Sequence, residues 1–288
     1  MGRECKVVAA AGKKGCGKSV TTIKMLDEIV RGNPASGILP RKVLILDVNN
    51  EFSDFWFFNN PHRRISPIAI KDVQRFAYSN IAEIRRIRPF FDNNKPMTLT
   101  DIRNTLSFIL SNFRGGTLLV EDPTKYIGDN IKDDIIGALA TCRHLSVDVI
   151  LHYQSIGKVG HPKLFANTNY VRLHKTSDSV SRHEDKFQEK TELFQIAENI
   201  VNYKFFEENK KRFFLFIDND DSKIYPGDEE SYTSPDIDRA IEEYVSTNRN
   251  SLIKPLLVKI DLETGNLLFD EKTAIKFIKN RLRKTYFS

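Results

Sequence analysis

The stretch from residue 12 to residue 19 has the residue types and spacing of a loop that binds phosphate. Its glycines, with Lys18 and Ser19, fit the pattern Gly, any four residues, Gly-Lys-Ser/Thr. Glycines let backbone N–H groups turn toward phosphate oxygens, the lysine reaches the β- and γ-phosphates, and the hydroxyl ligates Mg²⁺. The pattern predicts that ATP and Mg²⁺ bind to Gly12, Lys13, Lys14, Gly15, Cys16, Gly17, Lys18, Ser19 and Val20.

A strand and a helix flank this phosphate loop in the order that such a site requires. Residues 6–10 form a short apolar run of strand type, and apolar residues recur at helical spacing between residues 20 and 30. A helix that begins directly after the loop adds the favourable end of its dipole to an anion site. This context favours a phosphate site over an ordinary glycine turn. We interpret Cys16 as a small loop residue without a catalytic role.

Two adjacent carboxylates close a later strand. Residues 117–123 have the composition of a buried strand and include Glu121 and Asp122 at its end. In ATPases with a phosphate loop, an acid at this place holds Mg²⁺, and a neighbouring carboxylate orients and deprotonates the attacking water. We therefore expect Glu121 to serve the metal and Asp122 to serve the water, rather than a solvated turn.

Further candidate residues surround the strand predicted at residues 147–154. Gln154 closes this strand, where it can sense phosphate, and Arg143 lies just before it at the end of a predicted helix. An arginine in that place can project toward the nucleotide of a neighbouring subunit. The alternative for Arg143 is a cation that stabilises the helix dipole. His144 and His152 are interpreted as packing or surface residues.

The alternation of strands and helices predicts an α/β fold. We expect a mainly parallel, RecA-like P-loop NTPase sheet that is flanked by helices and followed by a small C-terminal appendage. Helices are predicted over residues 101–113, behind a cap at Thr100 or Asp101, and over residues 131–144.

The predicted domains are an ATPase core and a C-terminal appendage. The core spans residues 1–225 and includes a basic insertion at about residues 61–116, and the appendage spans residues 226–288. Within the appendage we expect a helix, a hairpin over residues 256–269 and a basic amphipathic helix over residues 272–284.

Composition predicts a soluble globular protein. The 288 residues are 40% hydrophobic, enough for a sizeable core, and no apolar run approaches the ~20 residues of a membrane span. The chain enters a strand almost at once, which does not suit a signal peptide. Its three cysteines are an odd number without metal-ligand spacing, so a reducing compartment is expected. These features predict a cytoplasmic protein.

Positive charge is unevenly distributed along the chain. The net charge is +6, and residues 61–116 contain ten basic residues against four acidic ones. A basic segment beside a nucleotide site suggests a polyanion such as DNA, although a solvated face explains the same count. The predicted helix over residues 272–284 offers the same two readings for five of its cations, namely contact with DNA or a capsid, or a solvated surface. These cations are Lys276, Lys279, Arg281, Arg283 and Lys284.

Four segments together resemble the FtsK/HerA superfamily of P-loop ATPases, which move DNA. They are the phosphate loop; residues 46–52, which look like that family's Asp-x-x-x-Glu-aromatic motif; the pair Glu121 and Asp122; and Arg143 with Gln154. Residues 169–174 resemble the following core strand. The resemblance covers roughly residues 3–225. The order Glu-Asp departs from the family's usual Asp-Glu, so the two carboxylates could exchange roles.

This resemblance implies an ATP-driven motor for DNA. It implies that Lys18 and Ser19 bind phosphate and Mg²⁺. It also implies that Arg143 acts as an arginine finger in the site of a neighbouring subunit and that Gln154 senses the nucleotide phosphates. It further implies a homo-oligomeric ring of five or six subunits, duplex DNA as substrate, and portal or capsid proteins as partners. The compact chain points toward viral genome-packaging ATPases, acting in the bacterial or infected-host cytoplasm or at a packaging vertex of a virion.

Two other classes of function fit parts of the sequence. The phosphate loop also resembles that of ParA and MinD-type partition ATPases, in which Lys13 would reach across a dimer. Lys14 stands where that family has glycine. A phage assembly ATPase or a nucleotide-binding scaffold without turnover is the third hypothesis.

Overall fold

Nine strands form one sheet in a computed structural model of the chain, which describes residues 5–52, 56–57, 60–127, 142, 144–159, 165–227, 231–260 and 266–287. In chain order the strands are β1 Val7–Ala11, β2 Lys42–Leu46, β3 Trp56–Phe57, β4 Asn60–Arg64, β5 Ser66–Pro67, β6 Ile84–Ile87, β7 Gly116–Glu121, β8 Asp148–Tyr153, β9 Tyr170–His174, β10 Phe214–Asp218 and β11 Lys223–Pro226. Strands β3 and β4 pair separately with each other.

The order of the large sheet is β11-β10-β9-β1-β8-β7-β2-β6-β5. The seven strands from β9 to β5 pair in parallel, and β10 and β11 extend the sheet in antiparallel fashion. Strand β8 therefore lies between β1, which leads into the phosphate loop, and β7, which ends in Glu121. This order confirms the predicted mainly parallel α/β sheet.

Helices connect and cover these strands. They are α1 Lys18–Arg31, α2 Val73–Tyr78, α3 Leu99–Asn112, α4 Thr124–Ile127, α5 Ile156–Val159, α6 Glu184–Phe187, α7 Thr191–Phe206, α8 Ser234–Thr247, α9 Arg249–Leu252, α10 Lys254–Leu257 and α11 Glu271–Phe287. Short 3-10 helices occupy Pro34–Ser36, Ile70–Asp72, Val180–Arg182 and Gln188–Lys190. In the described part of the chain, no helix combines the length and apolar character that crossing a membrane requires.

The two faces of the sheet have separate cores because side chains alternate along a strand. In β2, Val43 and Ile45 pack on the α1 side, where Ile23 and Leu26 are buried. The intervening residues Leu44 and Leu46 belong to the larger core on the opposite face, which also contains the buried residues of α3 and α7. Both faces are thus covered, as a parallel sheet requires.

Helix α3 begins two residues earlier than predicted. Thr98 is its N-cap: the Thr98 hydroxyl accepts from Asp101 N, and the Asp101 carboxylate accepts from Thr98 N. The predicted cap at Thr100 or Asp101 is wrong, because Thr98 is the N-cap and Asp101 is the N3 residue that completes the capping box. The predicted helix over residues 131–144, and Arg143 with it, lies outside the described residues apart from Cys142 and His144.

The C-terminal residues pack against the core through helices. Helix α8 buries Ile237 and Ile241, and α11 buries Ile278 and Leu282 in the same apolar cluster as α7. The predicted hairpin over residues 256–269 is wrong at its start, where residues to Leu257 are helical. Ile260 does bridge Leu267 in antiparallel fashion. The domain boundary at residue 225 stays a prediction.

Three cations of α11 form ion pairs with residues of other helices. Arg281 pairs with Glu192, Lys279 with Glu242, and Arg283 with Asp238. The partners lie on α7 and α8, so the charges of α11 fasten it to its neighbours. These pairs are exposed, and exposed pairs each contribute only about 0–1 kcal/mol.

Arg86 is buried, so it is not part of any basic surface that residues 61–116 form. Its guanidinium donates to Asp47 Oδ2 over 2.8 Å and to Asn50 Oδ1 over 2.7 Å. Only 6% of the Arg86 surface is exposed, and the Asp47 carboxylate is fully buried. Burial raises the pKa of Asp47, while the bond from Arg86 opposes that rise. This arginine therefore stabilises the strand ends and cannot face DNA.

Loss of this buried ion pair should destabilise the protein. Replacing Arg86 by alanine leaves Asp47 as an uncompensated buried charge, so we expect Arg86→Ala to lower the free energy of unfolding by about 3–5 kcal/mol. The control is Arg85→Ala, because Arg85 pairs with Glu83 where both are partly exposed, and such pairs are worth about 1 kcal/mol or less. Urea denaturation measures both. Equal losses for the two variants would contradict the structural role of Arg86.

Candidate functional site

The phosphate loop joins β1 to α1 in a conformation that needs glycine. Gly15 and Gly17 have φ angles of +83° and +82°, in the left-handed region. The first helical bond runs from Thr21 N to Gly17 O. The N–H groups of the first turn of α1 therefore have no acceptor inside the helix and are available to an anion.

Gly12 is needed for close packing beneath the loop. A Cβ atom at Gly12 would lie 2.6 Å from Cys16 Sγ and 2.8 Å from His174 Cβ. The Gly12 N–H donates to Tyr153 O at the end of β8. Cys16 and His174 are both buried. The first glycine of the motif thus lets the loop lie directly on the ends of the neighbouring strands.

Lys18 is held at the mouth of this loop by backbone oxygens. Its Nζ donates to Gly12 O over 3.1 Å and to Tyr153 O over 2.9 Å. Burial lowers the pKa of the Lys18 ammonium, and the charges of Asp122 and Glu121 oppose that effect. An anionic phosphate would favour the charged form in the same way, which fits the predicted role.

The phosphate loop forms one wall of a cleft of about 390 Å³. Polar side chains at or after the ends of β2, β7 and β8 form the rest of its lining. They are Asn49, Glu51, Glu121, Asp122, Lys125 and Gln154. The carboxyl ends of parallel strands meet at one edge of a sheet, which is where ligands of open α/β sheets bind. The structure thus brings Lys18, Ser19, Glu121, Asp122 and Gln154 together in one cleft, and their roles stay predictions.

Asp122 is fixed by three donors. Its Oδ2 accepts from Asn49 Nδ2 at 3.0 Å and from Gln154 Nε2 at 2.9 Å, and Lys125 Nζ lies 3.1 Å away. The backbone of Asp122 has a φ of +41°, a conformation uncommon outside glycine. Unusual backbone held by many contacts is typical of functional sites.

Glu121 is buried among other carboxylates. Only 3% of its surface is exposed, its Oε2 accepts from Asn49 Nδ2 at 3.3 Å, and its Oε1 lies 3.3 Å from His152 Nδ1. Burial is the main cause that raises the pKa of Glu121 to about 8, and three negative neighbours add to it. These neighbours are Glu51, Asp47 and Asp122. A bound cation would relieve this repulsion.

Glu51 completes the acidic wall through a turn that Asp47 stabilises. The Asp47 carboxylate accepts from the backbone N–H groups of Glu51 and Phe52. The turn directs the Glu51 side chain toward the phosphate loop, where its Oε2 lies 3.4 Å from Ser19 Oγ. The motif at residues 46–52 thereby gains a physical role, which is to place a carboxylate beside the hydroxyl predicted to ligate Mg²⁺.

The residues of the cleft fit Mg²⁺ when nucleotide supplies further ligands. The described residues contain no preformed group of three or more His, Cys, Asp or Glu that could hold a metal alone. Mg²⁺ is usually bound by one or two carboxylates together with phosphates and water. Ser19 and Glu121 line the cleft and provide such a partial set. A cation beside Glu121 would offset the burial and the negative neighbours that raise the pKa of this carboxyl.

Some residues of the site differ from the sequence prediction or were missed by it. His152 is not a plain packing residue, because its ring bridges Thr22 Oγ1 and Glu121 Oε1. Asn49 and Lys125, which orient Asp122, were not predicted. Their signals were weak: Asn49 lies two residues after a strand-end acid, and Lys125 lies three residues after Asp122. Arg143 lies outside the described residues.

Solved structures similar to this chain include a viral packaging NTPase and a toxin domain, whereas no protein-family model and no curated relative matches it. One is the genome packaging NTPase from Sulfolobus turreted icosahedral virus 2 in complex with AMPPCP, with 14% identity, a TM-score of 0.46, and coverage of 77% of this chain and 97% of that one.

The other is the N-terminal domain of zonular occludens toxin from Neisseria meningitidis. It has 13% identity and a TM-score of 0.31, and the match covers 61% of this chain and 79% of that one. Because both TM-scores are below 0.5, the fold assignment depends on the strand order, and the chemistry of the site depends on its own residues.

Nucleotide binding should depend on the absence of a side chain at residue 12. Gly12→Ala places a methyl group against His174 Cβ, which cannot rotate away, so we expect at least about a tenfold loss of affinity for a fluorescent ATP analogue, equivalent to about 1.4 kcal/mol. The control is Cys16→Ala, which removes the Sγ atom and adds nothing. Unchanged affinity in Gly12→Ala would contradict the close packing of the loop.

Proposed function

We propose that the chain is an ATPase that binds Mg²⁺ and ATP in the cleft between the phosphate loop and the ends of β7 and β8. The observation that carries this proposal is the placement of Glu121, Asp122 and Gln154 opposite Lys18 and Ser19. Lys18 and Mg²⁺ would neutralise charge that develops on the phosphates. Ser19 and Glu121 would hold the metal.

Asp122 is proposed to orient and deprotonate the attacking water. Its three donors share Oδ2, which leaves Oδ1 to accept a hydrogen bond from water. Gln154 links Asp122 to the end of β8, so a change in the phosphates can alter the position of this carboxylate. These contacts support the predicted sensor role of Gln154.

We further propose that hydrolysis drives the movement of DNA through a homo-oligomeric ring, as in genome packaging. The four sequence motifs shared with DNA-moving ATPases support this proposal, as does the net charge of +6. Duplex DNA is the proposed substrate, and portal or capsid proteins are the proposed partners. Arg143 would enter the site of the adjacent subunit and complete it only when the subunits close.

The partition ATPase is the weaker alternative because of the position of Lys13. In the described structure Lys13 Nζ lies 4.3 Å from the centre of the Phe205 ring, on α7 of the same chain. A cation over an aromatic ring is held by about 0.5–1 kcal/mol at an exposed site. Lys13 therefore has a partner within its own subunit, which gives no support to a reach across a dimer.

Turnover stimulated by DNA is the first test of this function. We expect the purified protein to hydrolyse ATP, duplex DNA to increase the rate, and Lys18→Ala to abolish turnover, because the lysine neutralises transition-state charge. DNA affinity should fall steeply as salt is raised, since binding releases counterions. Turnover without any response to DNA would favour an assembly ATPase. Binding of ATP without turnover would favour a scaffold.

Mixed rings test the role of Arg143. Arg143→Ala and Lys18→Ala subunits should each be inactive alone, because each lacks one half of a composite site. When mixed, they should regain activity at interfaces where an intact Lys18 faces an intact Arg143. ATP turnover over a series of mixing ratios measures this recovery, and the absence of recovery in rings of confirmed mixed composition would contradict a finger acting between subunits.

A further inference from the structure

A chain of buried polar groups runs beneath the cleft from Arg172 to Glu121. Arg172 lies on β9, Thr22 on α1, His152 on β8 and Glu121 at the end of β7. Arg172 and Thr22 are 0% exposed and His152 is 1% exposed. These four groups, which we call the polar bridge, come from four separate elements. The polar bridge joins α1, the helix after the phosphate loop, to β7, the strand that ends in Glu121.

Distances place each member in contact with the next. Arg172 Nη2 donates to Thr22 Oγ1, which lies 2.8 Å from His152 Nε2. His152 Nδ1 then lies 3.3 Å from Glu121 Oε1. The Thr22 hydroxyl also lies 2.9 Å from Lys18 O, one helical turn earlier. The polar bridge is therefore in direct contact with the backbone of Lys18.

When Glu121 is ionised, the form that would hold Mg²⁺, the chemistry of the groups sets the direction of these bonds. Arg172 can only donate, so Thr22 Oγ1 is an acceptor toward it and keeps its own hydrogen for another group. An ionised Glu121 can only accept, which requires the ring proton on His152 Nδ1. His152 Nε2 then directs its lone pair at the Thr22 hydroxyl, whose single hydrogen is shared between Nε2 and Lys18 O. Each hydrogen bond in this order polarises the next.

We propose that His152, oriented by Thr22 and Arg172, is a positioning residue that holds the Glu121 carboxylate in the geometry needed to serve Mg²⁺. This inference rests on the proposed ATPase function and deepens it. Oε1 is anchored from behind by the ring, and Asn49 reaches the other oxygen, Oε2. Partners of this kind, which orient a metal ligand, typically change activity or metal affinity by about 10–100-fold when removed.

The arrangement also connects the two halves of the site. Phosphates act on the first turn of α1, and Thr22 lies one turn further along the same helix. A displacement of this turn would move the hydroxyl that orients His152, and through His152 the carboxylate of Glu121. Through the polar bridge, nucleotide binding at α1 would thus change the position of Glu121, the proposed Mg²⁺ ligand.

Variants of His152 and Thr22 separate positioning from simple packing. His152→Leu should lower kcat about 10–100-fold and change the Kd of a fluorescent ATP analogue less than threefold. His152→Asn, whose amide N–H can occupy the place of Nδ1–H, should recover most of kcat, whereas His152→Gln should not. Thr22→Val, which keeps the shape of the side chain, should lower kcat in the same sense.

Matched controls come from outside the site. Thr105→Val replaces another buried threonine, on α3, and His144→Asn replaces an exposed histidine. Both should keep the wild-type kcat. If His152→Leu retains kcat within twofold, or if His152→Asn and His152→Leu fall equally while circular dichroism shows both folded, the positioning role is overturned.

The tautomer of His152 tests the polar bridge independently of turnover. Nitrogen-15 NMR of the imidazole, assigned by the signal lost in His152→Asn and recorded at pH 9 so that Glu121 is ionised, should show the proton on Nδ1. Thr22→Val should weaken this preference. A proton on Nε2 in the wild-type protein overturns the polar bridge even if the enzyme is active. A wild-type protein that shows the Nδ1 proton but hydrolyses no ATP keeps the polar bridge and contradicts the proposed function.

Discussion

Compensation of buried charge at one edge of the sheet is the constraint on which the site depends. Arg172 is a buried cation and Lys18 is a half-buried one, and burial lowers the pKa of each. Glu121 and Asp47 are buried carboxylates, and burial raises the pKa of both. All four shifts favour the neutral forms, because burial disfavours the charged form of each group. Phosphate would stabilise the lysine and Mg²⁺ the glutamate, which gives the proposed ligands a reason to bind together.

Strand β8 makes this compensation possible because it lies between the phosphate loop and the acids. Successive residues at its end serve different partners. His152 faces Thr22 and Glu121, Tyr153 O accepts from Lys18, and Gln154 donates to Asp122. Ile150 and His152 are two residues apart and lie on the α1 face of β8. Gln154 follows the last residue of β8 and lines the cleft, so one short strand contributes to both places. The register of β8 with β1 and β7 fixes the position of these groups along the strand direction, since His152 pairs with Glu121 and Tyr153 with Ala11.

The sequence was sufficient to predict what local patterns determine. Hydrophobic runs and glycine spacing predicted the α/β sheet, the phosphate loop and the strand ends at Glu121 and Gln154. The sequence was insufficient to predict contacts between side chains that come together only through the order of the strands in the sheet. Arg86 meets Asp47 across 39 residues, and Thr22 meets His152 across 130, and no periodicity specifies either contact. The cap of α3 was missed for a smaller reason, since several adjacent polar residues can each serve as a cap.

The same distinction applies to positive charge, which a count along the sequence treats as uniform. Arg86 and Arg172 are buried and hydrogen-bonded, and withdrawing either one would leave unpaired polar groups in the core. The arginines of α11 are different, because their pairs with Glu192 and Asp238 are exposed and worth about 0–1 kcal/mol. Such pairs can exchange a carboxylate for a phosphate at little cost. If this chain binds DNA, helix α11 can therefore contribute cations to the contact, whereas strand β6 cannot release Arg86.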